Sequence, residues 1–458
     1  MNQVCVAKFG GTSVANYAAM CNCVKIVTSN LDTKLVVLSA SAGITNLLVE
    51  LASGTLDEAS IEERMGKICN IEFSILDDLG RPAEITAEIE KLIHEIRDLA
   101  KHAIIEHDDA LTDRIVSYGE IMSTKIFTEV LKSKGYNAKW FDVRSVMRTN
   151  NQFGKATPII EVLSNTAKEL LTPLLDDYIV VTQGFIGSNA IGQTTTLGRG
   201  GSDYSAALLG EAIGNCKAIQ IWTDVPGIYT TDPRLVKEAH VIPEITFSEA
   251  AEMATFGAKV LHPATIFPAV RRNIPVFVGS SKDPESGGTW VRSQTNTKPT
   301  FRAVALRRDQ ILLTLKSPNM IGACGFLANI FSIFAKYGIS VDLITTSEVS
   351  VAITLDHTGS QSSGQSVLSD RLLAELKSIC SVRVTEGLAL IALIGNGMSQ
   401  VSGTGAAVFS SIMNVNIRMI CYGASSHNLC FLVDQSQAEQ AIAELHHHLL
   451  EGNPQNIR

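Results

Sequence analysis

The first stretch constrains this chain more than any other. Val4-Cys5-Val6-Ala7 is an apolar run that continues through Lys8 and Phe9 into Gly10-Gly11-Thr12-Ser13, which is how a buried parallel strand hands over to a phosphate-binding turn. Glycines there admit consecutive backbone N–H groups to an anion with no Cβ in the way, and the helix that follows adds the positive end of its dipole. Lys8, at the strand end, brings an ammonium towards the same phosphates. The pattern is not a Walker A loop, because the lysine precedes the glycines and no G-x-x-x-x-G-K-[ST] occurs. Six residues alone fit a plain βα turn with an incidental lysine equally well, so other stretches have to decide.

A second such turn lies about 190 residues on, where the nearly all-apolar segment Tyr178 to Gly187 reads as one central strand and is followed by Thr194-Thr195-Thr196-Leu197-Gly198-Arg199-Gly200-Gly201-Ser202-Asp203-Tyr204. One loop of glycines, a cation, an acid and hydroxyls is weak evidence. Two at the ends of parallel strands point to two anionic groups brought together. Between them, a helix over about 16–29 and a strand over 34–39 give a right-handed βαβ unit. It ends in the small-residue turn Ser39 to Asn46, at the strand edge where open α/β sheets bind ligands. Residues 56 to 134 are helical and charge-rich, a lobe closing over the sheet. Within it Glu120 follows Gly119 in an apolar helix, and a solvated helix acid is the simpler reading of it.

The strand 218–224 leads into Val225-Pro226-Gly227-Ile228-Tyr229-Thr230-Thr231-Asp232-Pro233-Arg234. A purine fits against such a loop, though turn chemistry alone also explains its Pro, Gly and Asp. A helix over 248–258 ends at Lys259, placed for phosphates or as an ordinary C-terminal lysine. The strand 274–281 closes this part, and polar residues 291–298 mark a linker.

With 458 residues, 45% hydrophobic and 18% charged, the chain has room for two or more domains with proper cores. A net charge of −8 argues against nucleic acid as the main partner. No apolar run approaches the roughly 20 residues of a membrane span, and no leader is expected because the first strand already carries Lys8. The nine cysteines form no C-x-x-C pair and sit mostly in apolar runs, as buried thiols of a reducing cytoplasm do.

The last third repeats. Met320 and Met398, Gly325 and Gly403, Phe331 and Phe409, Ile339 and Ile417, and Asp356 and Asp434 all pair at an offset of 78 residues. Each copy reads strand, glycine turn, amphipathic helix, strand, strand, with the first copy's second strand over Ile339 to Ile344. Such a module resembles the ACT fold, which pairs side by side and binds an amino acid at the pair's interface; a duplicated structural domain without ligand reads equally well from the repeat alone. In the first copy Asp342 and Glu348 suit a ligand ammonium. The second copy lacks both acids and has Arg418 at the position of Ser340, so binding is expected in the first copy only.

Taken together, Lys8 to Ser13, Val37 to Leu48, Phe141 to Arg148 with Phe153-Gly154, Gln183 to Tyr204, Trp222 to Arg234, Glu249 to Thr265, Phe277 to Pro284 and Val341 to Val349 resemble the amino-acid kinase family, and within it the lysine-sensitive, monofunctional aspartate kinases. The resemblance spans essentially the whole chain. It implies an α/β three-layer sandwich with a mostly parallel sheet over residues 1–290, a helical lobe at about 56–134 and a linker at 291–300. A tandem ACT region then covers 301–458, with copies at about 311–385 and 386–458, the second completed by 301–307. No dehydrogenase segment is expected. The implied reaction moves the ATP γ-phosphate to the side-chain carboxylate of L-aspartate, with Mg²⁺ carried mainly by the nucleotide and no metal-ligating residue assigned. L-lysine is the implied inhibitor, and a cytoplasmic homodimer through the ACT modules, or a tetramer, is the implied assembly, with no nucleic acid or membrane partner.

Position by position, the resemblance gives Lys8 and Asp203 the catalytic roles, Lys8 neutralising the transferring phosphoryl group and Asp203 orienting it. Aspartate falls to Arg199 on its α-carboxylate and Glu120 on its α-ammonium, with Ser39, Thr45, Thr196 and Ser202 around it; this reverses the simpler reading of Glu120. ATP falls to Lys8, Gly10, Gly11, Thr223, Asp224, Tyr229, Arg234, Lys259 and Val260. Lysine falls to Met320, Gly325, Phe326, Leu327, Ser340, Val341, Asp342, Thr346 and Glu348. One departure stands out: Gly322-Ala323-Cys324 has alanine where a serine is expected, which weakens lysine sensitivity. Another amino-acid kinase, such as one acting on N-acetylglutamate, and a catalytically silent amino-acid sensor are the alternative readings.

Overall fold

The computed structural model describes residues 3–198, 200–257, 261, 263–321, 324–356 and 368–451. They form two compact units. One comprises the described residues up to Ile228, Val241–Ala250 and those between 261 and Thr295; the other comprises Tyr229–His240, residues 251–257 and the described residues from Asn296 onward.

In the first unit β1 (Val4–Phe9), α1 (Tyr17–Ser29), β2 (Thr33–Leu38) and α2 (Ile44–Ala52) are followed by the long helices α3 (Glu58–Asp78), α4 (Ala83–Ile105) and α5 (Asp109–Ser133). Then come β3 (Ala138–Phe141), α6 (Ile160–Thr166), β4 (Ile179–Gln183), β5 (Ile186–Ser188), β6 (Thr194–Thr196), α7 (Gly201–Ile213), β7 (Cys216–Thr223), β8 (Glu244–Thr246), α8 (Phe247–Thr255), α9 (Pro263–Arg272), β9 (Val276–Ser280) and β10 (Gly288–Arg292). Side-chain caps start several helices: Asn16 accepts from the Ala19 N–H, Asp57 from Ser60 and Asp108 from Leu111, each satisfying a donor that the first turn leaves open.

The sheet runs β3-β4-β2-β1-β7-β9-β10-β8. Its pairs are parallel except β9 with β10. All six residues of β1 are buried, as expected of a central strand covered on both faces. Side chains alternate across it: Ala7 and Phe9 join the core built with α1 to α5, and Lys8 turns the other way, to Asp203 on α7. The expected linker begins later than residue 291, because Val291 is fully buried in β10, paired with Val276 and Ile245. The single strand expected over 178–187 is broken between β4 and β5. A Cβ on Gly184 would lie 2.6 Å from that of Ser202, and Phe185 adopts φ 69°, so the chain leaves the sheet there and pairs as a β5–β6 hairpin.

The second unit contains β11 (Ala303–Lys316), α10 (Phe326–Lys336), β12 (Ile344–Thr346), β13 (Ser350–Asp356), α11 (Asp370–Lys377), β14 (Ser381–Ile394), α12 (Thr404–Ser411), β15 (Ile417–Tyr422), β16 (Asn428–Asp434) and α13 (Ala438–His446). Its antiparallel sheet has the order β12-β13-β11-β14-β16-β15. The 78-residue offset reappears: α10 and α12 both start after a left-handed glycine, Gly325 at φ 88° and Gly403 at φ 83°, and β13 and β16 occupy equivalent positions. One long strand serves both copies, as Ala303–Arg307 pairs with Leu390–Ile394 and Leu312–Lys316 with Ser381–Thr385.

The copies differ at their edge strands, β12 and β15. β15 forms over Ile417–Tyr422, but its counterpart expected over 339–344 shrinks to β12, Ile344–Thr346. Thr354 is the cause: its carbonyl takes the Asp342 N–H and its hydroxyl takes the Leu343 N–H, so the ladder becomes irregular where Asp342 sits.

Candidate active site

The carboxyl ends of β1, β2 and β4 converge on a cavity of about 510 Å³ lined by Lys8, Ser39, Thr45, Glu120, Ser202 and Asp203, with Gly154, Phe185, Gly198, Gly200 and Gly201. Six of the expected residues are thus brought together from positions as far apart as 8 and 203. The Lys8 ammonium meets Asp203 Oδ1 at 2.5 Å, both side chains largely shielded from water. Such a pair holds an ammonium in one place at the cavity edge.

Glu120 reaches the cavity because α5 lies hard against the turn after β2. A Cβ on Gly119 would come within 2.7 Å of the Ala40 Cβ, so only glycine permits that approach. The neighbouring Ser123 hydroxyl donates to the Ser39 carbonyl at 2.8 Å. Glu120 is 3% exposed; its Oε1 accepts from the Ala40 N–H at 3.2 Å and its Oε2 has no partner. Burial pushes its carboxyl up to about 8, against the pull of the Ala40 N–H. A buried carboxylate with one idle oxygen at a cavity wall is suited to a ligand cation.

Thr196 departs from expectation. Its hydroxyl and N–H both donate to Asp113, at 2.8 and 2.7 Å, and Asp113 also accepts from the Gly154 N–H at 2.9 Å. Thr196 therefore does not line the cavity; with Asp113 it ties the second glycine loop to the loop at 154. Asp113 escaped the sequence reading, although it lies seven residues before Glu120, two helical turns along the same face. Glu72 on α3 was missed too. It is fully buried, neither oxygen has a partner within hydrogen-bond reach, and burial pushes its carboxyl to about 8, opposed by the Ser41 hydroxyl in the turn after β2.

Among the residues expected at the nucleotide, the Gly10 N–H already donates to the Trp222 carbonyl at 3.3 Å, so serving a phosphate means giving up that bond. Gly11 opens the single turn Gly11–Val14. Thr223 ends β7, and its hydroxyl donates to Asp224 at 3.2 Å. Tyr229 and Arg234 belong to the second unit, where Arg234 makes a two-point contact with Asp232 at 3.0 and 2.6 Å. Arg199, Lys259 and Val260 lie outside the described residues. A larger cavity of about 560 Å³ borders His102, Arg114 and Arg144. None of the expected residues lines it, and Arg144 is committed to Asp142 and Thr194.

In the second unit Met320, Gly325, Phe326 and Leu327 form the turn and start of α10, while Ser340, Val341, Asp342, Thr346 and Glu348 follow along the irregular strand. Asp342 Oδ2 lies 3.3 Å from the Arg307 guanidinium, each side chain 23% exposed. Burial raises the Asp342 carboxyl and Arg307 opposes the rise. Arg418, at the equivalent of Ser340, stands 3.9 Å from Asp434. Gly322 and Ala323 lie outside the described residues.

Comparison with known proteins agrees with this layout. The sequence profile "Amino acid kinase family" matches residues 3–280, and "ACT domain" matches residues 391–449. The chain is 58% identical over 451 residues to lysine-sensitive aspartokinase 3 of Escherichia coli, covering 98% of this chain and 100% of that protein. It is 36% identical to chloroplastic aspartokinase 1 of Arabidopsis thaliana, covering 96% and 79%. Among solved structures, E. coli aspartokinase III in complex with aspartate and ADP matches with a TM-score of 0.88 at 58% identity, over 98% of this chain and 100% of that one. The same enzyme with lysine and aspartate matches at 0.83, over 98% and 99%. With its lysine-bearing strand, its cavity of opposed charges and its C-terminal ACT region, the chain belongs to the amino acid kinase family, as one of its aspartokinases.

Proposed function

We propose that this aspartokinase transfers the γ-phosphate of ATP to the side-chain carboxylate of L-aspartate, giving 4-phospho-L-aspartate, and that L-lysine bound in the ACT region inhibits it. The observation that carries the reading is the cavity in which a sheltered ammonium, Lys8, and a buried carboxyl with an idle oxygen, Glu120, line opposite needs of one substrate. Aspartate presents two carboxylates and one ammonium. Glu120 takes the ammonium, Arg199 the α-carboxylate, and Ser39, Thr45 and Ser202 surround the side chain that reacts.

No general base is needed, because a carboxylate is ionised at neutral pH and is itself the nucleophile. Its oxygen forms a bond to the γ-phosphorus as the bond to the β,γ-bridging oxygen breaks, and ADP leaves with that electron pair. Catalysis then consists of in-line positioning and of stabilising the charge on the equatorial oxygens. Lys8 supplies that stabilisation, and Asp203 keeps its ammonium in place.

Among the described residues no cluster of three or more His, Cys, Asp or Glu side chains is arranged to hold a metal ion. In this reading magnesium enters on the triphosphate, the usual arrangement for an ion that keeps most of its waters. Pairing of two copies through their ACT regions and operation in the cytoplasm belong to the same reading. No described helix is long and apolar enough to cross a membrane.

The test is acyl-phosphate formation from L-aspartate and Mg-ATP, trapped with hydroxylamine, with and without lysine or threonine. Product that falls with lysine alone is expected. Product with N-acetylglutamate but not aspartate, or no product at all, overturns the reading.

A further inference from the structure

The segment Tyr229–His240 lies between β7 and β8 in the chain, yet it clusters with the regulatory unit. Val236 is buried there beside Val304, Ile442 and Leu445, and the Thr230 carbonyl accepts from the Val304 N–H of β11 at 2.8 Å. The tightest tie is polar. Thr230 Oγ1 lies 2.9 Å from His446 Nε2, and His446 Nδ1 lies 2.6 Å from Glu451 Oε1. His446 is 0% and Thr230 4% exposed. The His240 N–H donates to the same Thr230 oxygen at 3.2 Å, and the His240 ring meets that of His446 edge-on.

Hydroxyl, imidazole and carboxylate in line have the spacing of a nucleophile triad, but the hydroxyl and the imidazole are buried, the carboxylate lies at the surface, and none of the three borders either cavity described above. Their hydrogen bonds instead run in one direction. Glu451 is held below the usual carboxylate range by His447 and His446, so it is ionised and accepts from Nδ1–H. In the neutral tautomer that donates Nδ1–H to Glu451, Nε2 accepts from the Thr230 hydroxyl, and the Thr230 oxygen accepts in turn from the His240 N–H. Every donor meets an acceptor only in this register, so sliding the loop strands a buried polar group.

We propose that His446, on the last helix of the regulatory unit, is a positioning residue for phosphoryl transfer: through Thr230 it fixes the loop that bears Tyr229 and Arg234 and thereby sets the affinity for the nucleotide. This rests on the reading that those two residues contact ATP. Within the second unit, His446 and the loop that bears Tyr229 and Arg234 are thus joined by hydrogen bonds.

The test is steady-state kinetics of the full-length enzyme. Thr230→Val exchanges one hydroxyl for a methyl and is expected to raise the KM for ATP about fivefold, the cost of one buried hydrogen bond, while the KM for aspartate stays within about twofold. Thr230→Ser restores the hydroxyl and the affinity. His446→Phe reproduces Thr230→Val, and the double variant is no worse than either. If His446→Phe does not fold, the two Thr230 variants decide alone. Parallel rises in both KM values, Ser behaving as Val, or an unchanged ATP KM overturns the proposal. Tyr229→Ala separates the underlying reading: if it leaves the ATP KM untouched, the loop does not contact nucleotide, whereas a raised KM alongside silent Thr230 variants sinks only the role of His446.

Discussion

In the cavity of the first unit the charged groups are sheltered, with Lys8 at 8% and Glu120 at 3% exposure, and one Glu120 oxygen waits without a partner. In the second unit Asp342, assigned to the lysine ammonium, keeps 23% of its side chain exposed and already faces Arg307. The two sites therefore treat charge differently. Buried, fixed groups stabilise a transition state without reorganising, whereas an ion pair that keeps about a quarter of its surface in water is screened and more readily exchanged for a ligand. Catalysis needs the first arrangement, and reversible inhibition needs the second.

The sharpest way to break this contrast is Lys8→Ala. Loss of a preorganised cation is expected to cost at least ~10²-fold in turnover, with aspartate and ATP still bound comparably. A loss below about tenfold would mean that the pair with Asp203 is structural. Next, Asp342→Ala is expected to raise the lysine concentration for half-inhibition by at least about tenfold, the worth of a hydrogen bond to a charged group. Inhibition retained at unchanged lysine removes Asp342 from the ligand site.

Glu120 sharpens the comparison through pH. Burial pushes its carboxyl up to about 8, so below that pH it is largely neutral and must give up its proton to receive the substrate ammonium. The KM for aspartate should therefore rise by up to about tenfold from about pH 8 to about pH 7 and level off above pH 8 to 9. Glu120→Gln should bind weakly at every pH. A flat wild-type profile would show a carboxylate ionised throughout.

The smallest effect on activity is expected at Glu72, buried like Glu120 but without a ligand to receive. Because its folded value of about 8 lies above the ordinary 4.5, its contribution to stability is full below about pH 4.5 and is lost as pH rises through about 8. Glu72→Gln stays neutral, so it should match the wild type near about pH 5 and melt at least about 3 °C higher near about pH 9, with turnover at neutral pH unchanged. Equal melting temperatures at both pH values would mean that water reaches the carboxylate.

Signals confined to neighbouring residues were legible in the sequence. The six-residue strand that carries Lys8, the two glycine turns, the helical lobe and the 78-residue repeat all rest on periodicity or turn chemistry, which a contiguous stretch carries whole. The resemblance then named Lys8, Ser39, Thr45, Glu120, Ser202 and Asp203, and the fold brings these six to one cavity. What the sequence left open depends on partners far apart in the chain. Asp113 claims Thr196 from 83 residues away, Gly184 breaks its strand because Ser202 leans against it, and Thr354 interrupts a strand that runs longer in the other copy.

By itself, then, the sequence determined the strands, the turns and the kinds of charge available, since backbone preference and side-chain alternation are local properties. Only the tertiary structure decided which charges are buried, which are already paired, and that the loop carrying Tyr229 packs with the regulatory unit. Burial and pairing are properties of the packed whole: the same carboxyl is an ordinary acid in water and a proton-holding one when Gly119 lets a helix seal it against Ala40.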